Sequence, residues 1–435
     1  MIIDLDALPV ILGYAILFFV IYYLAYRRYI FSIFDPLFIY VFTISFASVL
    51  VVFTLTDKTQ YLIHFFACHL FYFLGFTFSE SKFSSWYEHK KNRIFQPKEF
   101  DDNYSLQLTI YTLFGIYVLA NIIMFYTTGF AFLDDDPTRA KVENYMNGFG
   151  IILKINWGIG GFLSAGLLYL ILNWKQRSAM AMLLVVVFFT ALEGSKSSLL
   201  RILITFGLLA THSLFSSNQR ILQWFYRLAP IGLIILMSVF FAVLFKENQD
   251  SEQAAFAFVK RLLYGADSIL FFYLPENEQY FSTYHFWQYP AHLFNQILGF
   301  LRLVNVNEAM GNIMVLNTLP SSYTGVIVGP NTPYYIEGQV YFGYYGAFAY
   351  SFLIGAIYAF VRVYFFNSPY RTAFWFVLAA CICQQAMFLS IEVTLFLTQA
   401  FDTCFFVLPV YVLVNFALYG KLNVRLPISL KRTIQ

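Results

Sequence analysis

A short charged and hydroxyl-rich segment between two apolar stretches contains the residues best suited to chemistry. Residues 193–201 read Glu-Gly-Ser-Lys-Ser-Ser-Leu-Leu-Arg. If Ser195 caps the helix that follows, Lys196 lies in its first turn, where free backbone N–H groups and the positive end of the helix dipole add to the ammonium charge. Arg201 lies about one turn deeper, where its charge would cost roughly 2.5–3.5 kcal/mol in a membrane. The segment therefore indicates a site for a phosphate-bearing anion, although a snorkelling lysine paired with Glu193 is the simpler alternative.

A second basic residue follows a run of carboxylates in the predicted loop at 128–150. Arg139 comes after Asp134, Asp135, Asp136 and a proline. Its guanidinium group can bind a phosphate through two parallel hydrogen bonds. The three carboxylates could hold a metal ion, but a solvated turn explains them better. We therefore predict an anion contact at Arg139 and no metal or other cofactor.

The long segment 246–343 contains the groups that could move a proton. His285, His292 and Glu337 could each act as the base that takes a proton from an attacking hydroxyl group. The alternative for each histidine is a hydrogen-bonded loop residue. Glu337 could instead cap the helix that follows, because Gly338 comes directly after it.

The same segment supplies further candidates for ligand contacts. Residues 254–274 are predicted to form an amphipathic helix at the membrane interface, and Lys260 and Arg261 interrupt its apolar run. Both could contribute to the anion site. Trp287, Tyr334 and Tyr335 could stack on sugar rings, although an interfacial belt of aromatic residues is the alternative.

The rest of the chain has the composition of lipid-embedded helices. Of its 435 residues, 60% are hydrophobic and 12% are charged, whereas an average soluble protein is roughly 25% charged. Several apolar stretches reach the roughly 18 residues that indicate a membrane-spanning helix. A large soluble domain is thereby excluded, and the net charge of +3 gives no reason to expect a nucleic-acid partner. The sequence predicts an all-α polytopic membrane protein, with residues 1–435 forming a single integral membrane domain.

The spans and their orientation follow from apolar stretches and basic residues. With the N-terminus outside and the C-terminus inside, most of the 27 lysines and arginines lie at inside connections, as the positive-inside rule requires. The segment 246–343 is then a large, partly helical outer loop. We predict eleven spans, at 8–25, 34–55, 60–78, 105–127, 151–173, 178–192, 198–214, 228–245, 344–366, 372–391 and 395–419.

This layout resembles that of the Wzy-type oligosaccharide repeat-unit polymerases, the O-antigen polymerase family of bacterial inner membranes. Glu193-Gly-Ser-Lys-Ser-Ser is similar to the family's start of a central span, where small residues accompany a cation. Arg139 with Gly150 is similar to the Arg-and-Gly loop pattern of some members. The run 334–346 is similar to the Gly- and aromatic-rich start of the span after the large loop.

The resemblance implies a glycosyltransferase whose substrates are repeat units linked to undecaprenyl diphosphate, with its active site facing the periplasm. An acceptor hydroxyl group would attack the anomeric carbon of the donor's reducing-end sugar, and the lipid diphosphate would leave. Lys196 would contact that diphosphate, and fixed cations would stabilise its developing charge. Arg261 and Arg302 lack a glycine at the spacing seen after Arg139, which weakens their assignment as ligand contacts. The expected partners are lipid-linked glycans, membrane lipid and a polysaccharide chain-length regulator protein.

Two other functions remain as alternatives. An O-antigen ligase would use the same chemistry but pass the finished chain to a lipid A core. A flippase or other transporter of lipid-linked oligosaccharides would make use of Glu392, Asp402, Gln384 and Gln385, which lie in or near the last two spans. The sequence contains no internal repeat and no pair of interrupted spans, which are common in transporters, so we predict the polymerase.

Overall fold

The computed structural model consists of α-helices joined by loops and short 3₁₀ helices, and its described residues contain no β-strand. The structure describes residues 8–91, 100, 102–134, 140, 143, 150–193, 198–216, 223–224, 226–228, 230–234, 237–238, 241–242, 259–320, 327–370 and 372–420. The principal helices are α1 (Leu8–Tyr26), α2 (Pro36–Thr54), α3 (Thr59–Lys91), α4 (Asn103–Thr127), α5 (Gly150–Trp174), α6 (Arg177–Leu192), α7 (Ser198–Thr211), α8 (Asp267–Phe272), α9 (Pro275–Phe281), α10 (Tyr289–Phe300), α11 (Met310–Leu316), α12 (Tyr334–Asn367), α13 (Ala373–Gln385) and α14 (Val393–Tyr419).

Eight helices in the described part of the chain are long and apolar enough to cross a membrane. They are α1 to α5, α12, α13 with its 3₁₀ continuation Ala386–Ser390, and α14. The shorter apolar helices α6 and α7 coincide with the predicted sixth and seventh spans. The predicted eighth span, 228–245, lies in a region that is described only in pieces. The prediction of an α-helical membrane protein is thus confirmed, while the number of crossings and their orientation stay predictions.

The chain divides into two compact units, where the sequence predicts one domain. The first unit contains Met1–Ser81, Leu244–Phe360 and Ala386–Thr398. The second unit contains Lys82–Val243, Val361–Gln385 and Gln399–Gln435. Most of the predicted outer loop therefore belongs to the same unit as α1 and α2. Its described part is largely helical, although a 3₁₀ turn at Tyr264–Ala266 interrupts the amphipathic helix expected at 254–274.

Two glycines bring α3 and α12 into backbone contact within the first unit. A Cβ atom on Gly75 would lie 2.0 Å from the carbonyl oxygen of Phe352, and one on Gly355 would lie 2.1 Å from that of Tyr72. Glycine is therefore required at both positions, as in other membrane helices whose backbones approach closely.

Ring contacts show that these two helices run in the same direction. His64 and Tyr344 have ring centroids 4.7 Å apart near the start of the interface. Further along both helices, Phe76 and Tyr358 have ring centroids 5.8 Å apart.

A single carboxylate joins three helices in the second unit. Asp102, which directly precedes α4, is buried. It accepts hydrogen bonds from the backbone N–H groups of Ala373 (2.7 Å) and Phe374 (3.2 Å) at the start of α13. The hydroxyl group of Tyr411, on α14, donates a third at 3.0 Å. Asp102 thus supplies acceptors to N–H groups that a helix cannot satisfy itself.

Helix α12 is broken at Gly343, where the backbone has φ +73° and ψ −179°. Glycine adopts this conformation without steric strain. The break separates a first arm, 334–342, from a second arm, 344–367. A Cβ atom on Gly338 would lie 3.0 Å from Cα of Ala347, so the two arms pack closely. The predicted span 344–366 corresponds to the second arm, and the sequence interpretation did not include the first arm or the break.

Candidate functional site

The first arm of α12 carries a fully buried carboxylate. Glu337 has no exposed surface. The hydroxyl group of Tyr350 donates a hydrogen bond to its Oε2 at 2.8 Å, and Nε2 of His292 lies 3.3 Å from its Oε1. Tyr289 in turn hydrogen-bonds the hydroxyl group of Tyr350. A buried carboxylate needs such partners, because burial without them would be strongly unfavourable. We call Glu337 and His292 the buried pair.

Three elements position the buried pair. The break at Gly343 folds the first arm against the second, which brings Glu337 to Tyr350. His292 lies on α10, which has Pro290 in its first turn, a favourable helix start. The side chain of His292 is 20% exposed, whereas that of Glu337 is 0% exposed. His292 is therefore the member of the pair that solvent or a ligand can reach.

A second carboxyl group, Glu392, acts on this pair from the connection between α13 and α14. Burial raises its pKa to about 7, and the negative charge of Glu337 adds to the rise. The hydroxyl group of Thr394 donates a hydrogen bond to Glu392 Oε1 at 2.8 Å. This hydrogen bond and the charge of His292 both act to lower the pKa of Glu392. The charges of Glu337 and His292 thus both act on Glu392, whose pKa of about 7 lies close to neutral.

An open cavity of about 660 Å³ lies next to the buried pair. Residues from 272–286 line it on one side and residues from 339–346 on the other, and many of them are aromatic. We call it the aromatic cavity. Small-molecule sites typically have volumes of roughly 300–1,000 Å³, so a ligand of that size would fit.

Two aromatic rings of the cavity wall connect it to the buried pair. The ring of Tyr341 lies 5.1 Å from that of His292, and the ring of Phe342 stacks on that of Tyr350 at 5.3 Å. Glu337 does not itself line the cavity. His292 is likewise not among the lining residues, so the cavity meets the buried pair through Tyr341 and Phe342.

The predicted catalytic residues occupy different parts of this site. Glu337 and His292 are brought together, whereas His285 is exposed in the cavity lining, with its ring 4.3 Å from that of Trp287. Sequence reasoning missed Tyr350, whose role depends on the break at Gly343.

The predicted sugar contacts differ in their position relative to the cavity and stay predictions. Tyr334 and Tyr335 are 0% and 4% exposed, and Tyr334 hydrogen-bonds Tyr40 at 3.1 Å inside the first unit. Neither tyrosine is among the cavity-lining residues. Trp287 is 61% exposed but is also not among the lining residues. Tyr341 and Tyr284 line the cavity instead, and only the nearby Gly343 could have indicated a bend there.

The predicted anion site is only partly described. Lys196, Ser195 and Arg139 lie outside the described residues, as do the carboxylates at 135–136. Lys260 is half-buried and Arg261 is exposed. Their diphosphate contacts stay predictions.

Arg201 lies in a polar pocket of the second unit. The charge of Glu193 acts on it, and both residues line the pocket together with Asn156 and Gln384. The space is about 30 Å³, which is room for a water molecule rather than a diphosphate. As described, this pocket is too small to receive a diphosphate. The diphosphate contact of Arg201 stays a prediction.

A buried ion pair joins α5 and α14 in the second unit. Nζ of Lys154 lies 3.0 and 3.2 Å from the two carboxylate oxygens of Asp402, which is fully buried. The helices approach closely here, since a Cβ atom on Gly158 would lie 2.8 Å from the carbonyl carbon of Asp402. From the sequence, Asp402 was named only as a group that a transporter would use, and it was not paired with Lys154.

No group of three histidine, cysteine, aspartate or glutamate residues within the described part of the chain could hold a metal ion. Comparison of the chain with protein-family models, with curated proteins and with solved structures found no match.

Proposed function

We propose that this chain is a glycosyltransferase that polymerises undecaprenyl-diphosphate-linked oligosaccharide repeat units at the periplasmic face of a bacterial inner membrane. The observation that carries the proposal is the buried pair beside the aromatic cavity, in a chain whose described part contains eight helices able to cross a membrane. A lipid-linked glycan needs both a membrane setting and a site that binds sugars.

The proposed reaction assigns separate roles to the two members of the pair. An acceptor hydroxyl group attacks the anomeric carbon of the donor sugar and forms the new glycosidic bond. The bond from that carbon to the diphosphate oxygen breaks, and undecaprenyl diphosphate leaves with the bonding electrons. His292, as the accessible member, takes the hydroxyl proton, and Glu337 stabilises the imidazolium that forms. Fixed cations near the leaving diphosphate would stabilise its developing charge. The diphosphate contacts of Lys196, Arg201 and Arg139 stay predictions.

A transporter of lipid-linked oligosaccharides is the second candidate function. The observations that favour it are the break in α12 and the ion pair of Lys154 and Asp402, because ionisable residues within membrane helices often mark transport pathways. No observation favours the ligase, which differs from the polymerase in its acceptor.

Reconstitution in liposomes tests these proposals. The protein is supplied with lipid-diphosphate-linked repeat units, and the glycans are separated on a gel. We expect a ladder from the native protein and at least about a hundredfold less extension from Glu337→Gln or His292→Ala, the lower end of the usual contribution of a general base. Glu276→Gln, at an exposed position on α9, is the matched control and should extend normally.

The opposite results are equally clear. A normal ladder from folded Glu337→Gln protein would remove the buried pair from the mechanism. Movement of glycans between leaflets without a ladder would establish the transporter instead.

A further inference from the structure

The lining of the aromatic cavity has an unusual charge for a protein that handles a diphosphate. Among the lining residues that the structure describes, Glu278 carries a carboxylate and none is a lysine or an arginine. A negatively charged group next to Glu278 would be repelled, because like charges that meet in a binding site cost several kcal/mol. The cavity is therefore unsuited to a diphosphate or to an acidic sugar.

Two half-buried polar side chains in the lining retain hydrogen-bonding capacity. Glu278 accepts a hydrogen bond at Oε1 from the hydroxyl group of Tyr61 at 2.5 Å, which leaves Oε2 as an acceptor. Gln339 accepts one at Oε1 from the hydroxyl group of Tyr273 at 2.8 Å, which leaves its NH₂ group as a donor. A sugar hydroxyl group both donates and accepts, so it matches this combination, whereas a lipid chain matches neither.

The aromatic side chains supply the complementary apolar surface. Tyr284 and Tyr341 meet edge to face, with ring centroids 5.7 Å apart. Burial raises the pKa of Tyr284 to about 12, and the neighbouring Tyr280 adds to the rise, so its hydroxyl group stays uncharged at physiological pH. Tyr284 is half-buried, whereas Tyr341 is 5% exposed and packs against it. The C–H face of a sugar ring can pack on Tyr284, with Tyr341 as its support, while the sugar hydroxyl groups bond at the edge.

From charge, hydrogen-bonding capacity and shape together, we infer that the aromatic cavity is a subsite for an electrically neutral sugar ring. Because Tyr341 touches both the cavity and His292, the ring is the acceptor end of the repeat unit. Only this assignment to the acceptor rests on the proposed function. The lipid diphosphate binds elsewhere.

Binding can be measured without turnover. Saturation-transfer NMR is recorded on the full chain in nanodiscs, with the methyl glycosides of glucose and N-acetylglucosamine as probes and pyrophosphate as the competitor. We expect signals from the glycosides that pyrophosphate does not reduce. Tyr341→Ala should weaken binding about tenfold, as expected when a stacking ring is lost.

Two matched pairs of variants keep the test specific. Tyr345 is 80% exposed, lies on the same helix and is not among the cavity-lining residues, so Tyr345→Ala should bind as the native protein does. Glu278→Gln preserves shape and should also weaken binding, whereas Glu276→Gln should not. If Tyr341→Ala fails to fold, the comparison of Glu278→Gln with Glu276→Gln still tests the subsite. Displacement by pyrophosphate, or equal losses within each matched pair, would overturn the subsite.

The subsite and the proposed function can fail separately. Glycoside binding that depends on Tyr341, in a protein that makes no ladder, would preserve the neutral-sugar subsite and reject the polymerase. The opposite outcome is a ladder from the native protein together with unchanged glycoside binding and extension in Tyr341→Ala and Glu278→Gln. That outcome would support the polymerase and reject the subsite.

Discussion

Glu392 and Glu337 are two carboxyl groups close enough for the charge of one to disfavour the charge of the other. Such coupling commonly separates the pKa values of neighbouring acids. Here burial, with a smaller contribution from the charge of Glu337, raises the pKa of Glu392 to about 7. A site with this composition can hold or release a proton without a metal ion.

The raised pKa of Glu392 predicts a loss of stability with rising pH. Its value of about 7 lies above the ordinary 4.5, so the folded state binds this proton more tightly than the unfolded state does. Its contribution to stability is complete below about pH 4.5 and is lost as the pH rises through about 7. We expect the Tm in detergent to fall over this range, and Glu392→Gln to reduce that fall.

Asp267 is a second buried carboxyl group that affects the same pH profile, so it must be tested separately. Burial raises its pKa to about 6, so it adds a loss of stability at lower pH that Glu392→Gln does not remove. Asp267→Asn should flatten that lower part, and Glu276→Gln should change neither. If Glu392→Gln and native protein gave superimposable pH profiles, Glu392 would not be the group that titrates.

Sequence alone identifies part of this residue set. The types of His292 and Glu337 suggested proton transfer, and the structure brings them together. Tyr350 and Glu392 could not be assigned to the same site, because their proximity depends on a helix break and on a connection distant in sequence. Tyr334 and Tyr335 are buried and do not line the cavity, which their aromatic type could not indicate.

At the level of helices, the contact between α3 and α12 makes a quantitative prediction. Gly75→Ala would force a methyl group against the carbonyl oxygen of Phe352, because a Cβ atom at this position would lie 2.0 Å from that oxygen. Overpacking of this kind costs about 1–3 kcal/mol or more, which should appear as a lower Tm. Gly13→Ala in α1 has no neighbour within 4 Å and should instead stabilise by roughly 0.5–1 kcal/mol. Equal effects of the two substitutions would contradict the contact.

The positions of the helices were predictable to a much greater degree than their interruptions. Long apolar stretches identify spans because a helix must satisfy its backbone hydrogen bonds within the bilayer. The break at Gly343 was not predictable in this way, since glycine is frequent in unbroken membrane helices as well. The first arm, which contains Glu337, was interpreted as the end of the loop 246–343.

For the molecule as a whole, Lys154 and Asp402 distinguish the two candidate functions. Asp402→Leu alone leaves a half-buried lysine without its carboxylate and should cost at most about 3–5 kcal/mol, the range for a fully buried pair, whereas the double variant Lys154→Met with Asp402→Leu should recover most of that loss. If the chain is a polymerase, the double variant should still produce a ladder in liposomes. A folded double variant that has lost glycan movement between leaflets would instead support transport.

The class of the whole protein followed from composition, but its division into two units did not. Hydropathy measures how each segment partitions into lipid and contains no information about which helices pack together. The second unit combines α5 with α14, whose residues Lys154 and Asp402 are far apart in the chain. Only long-range contacts could reveal this arrangement.

The hydrogen bonds of Asp102 place the starts of α4 and α13 and the later part of α14 at a common level. If the eight long helices all cross the bilayer, the chain must make an even number of crossings between the start of α4 and the start of α13. Helices α4, α5 and α12 supply three, so the connection between Trp174 and Tyr334 must supply an odd number more. The parallel packing of α3 and α12 leads independently to the same parity. Three further crossings, as the eleven-span prediction has, satisfy both conditions, whereas two do not.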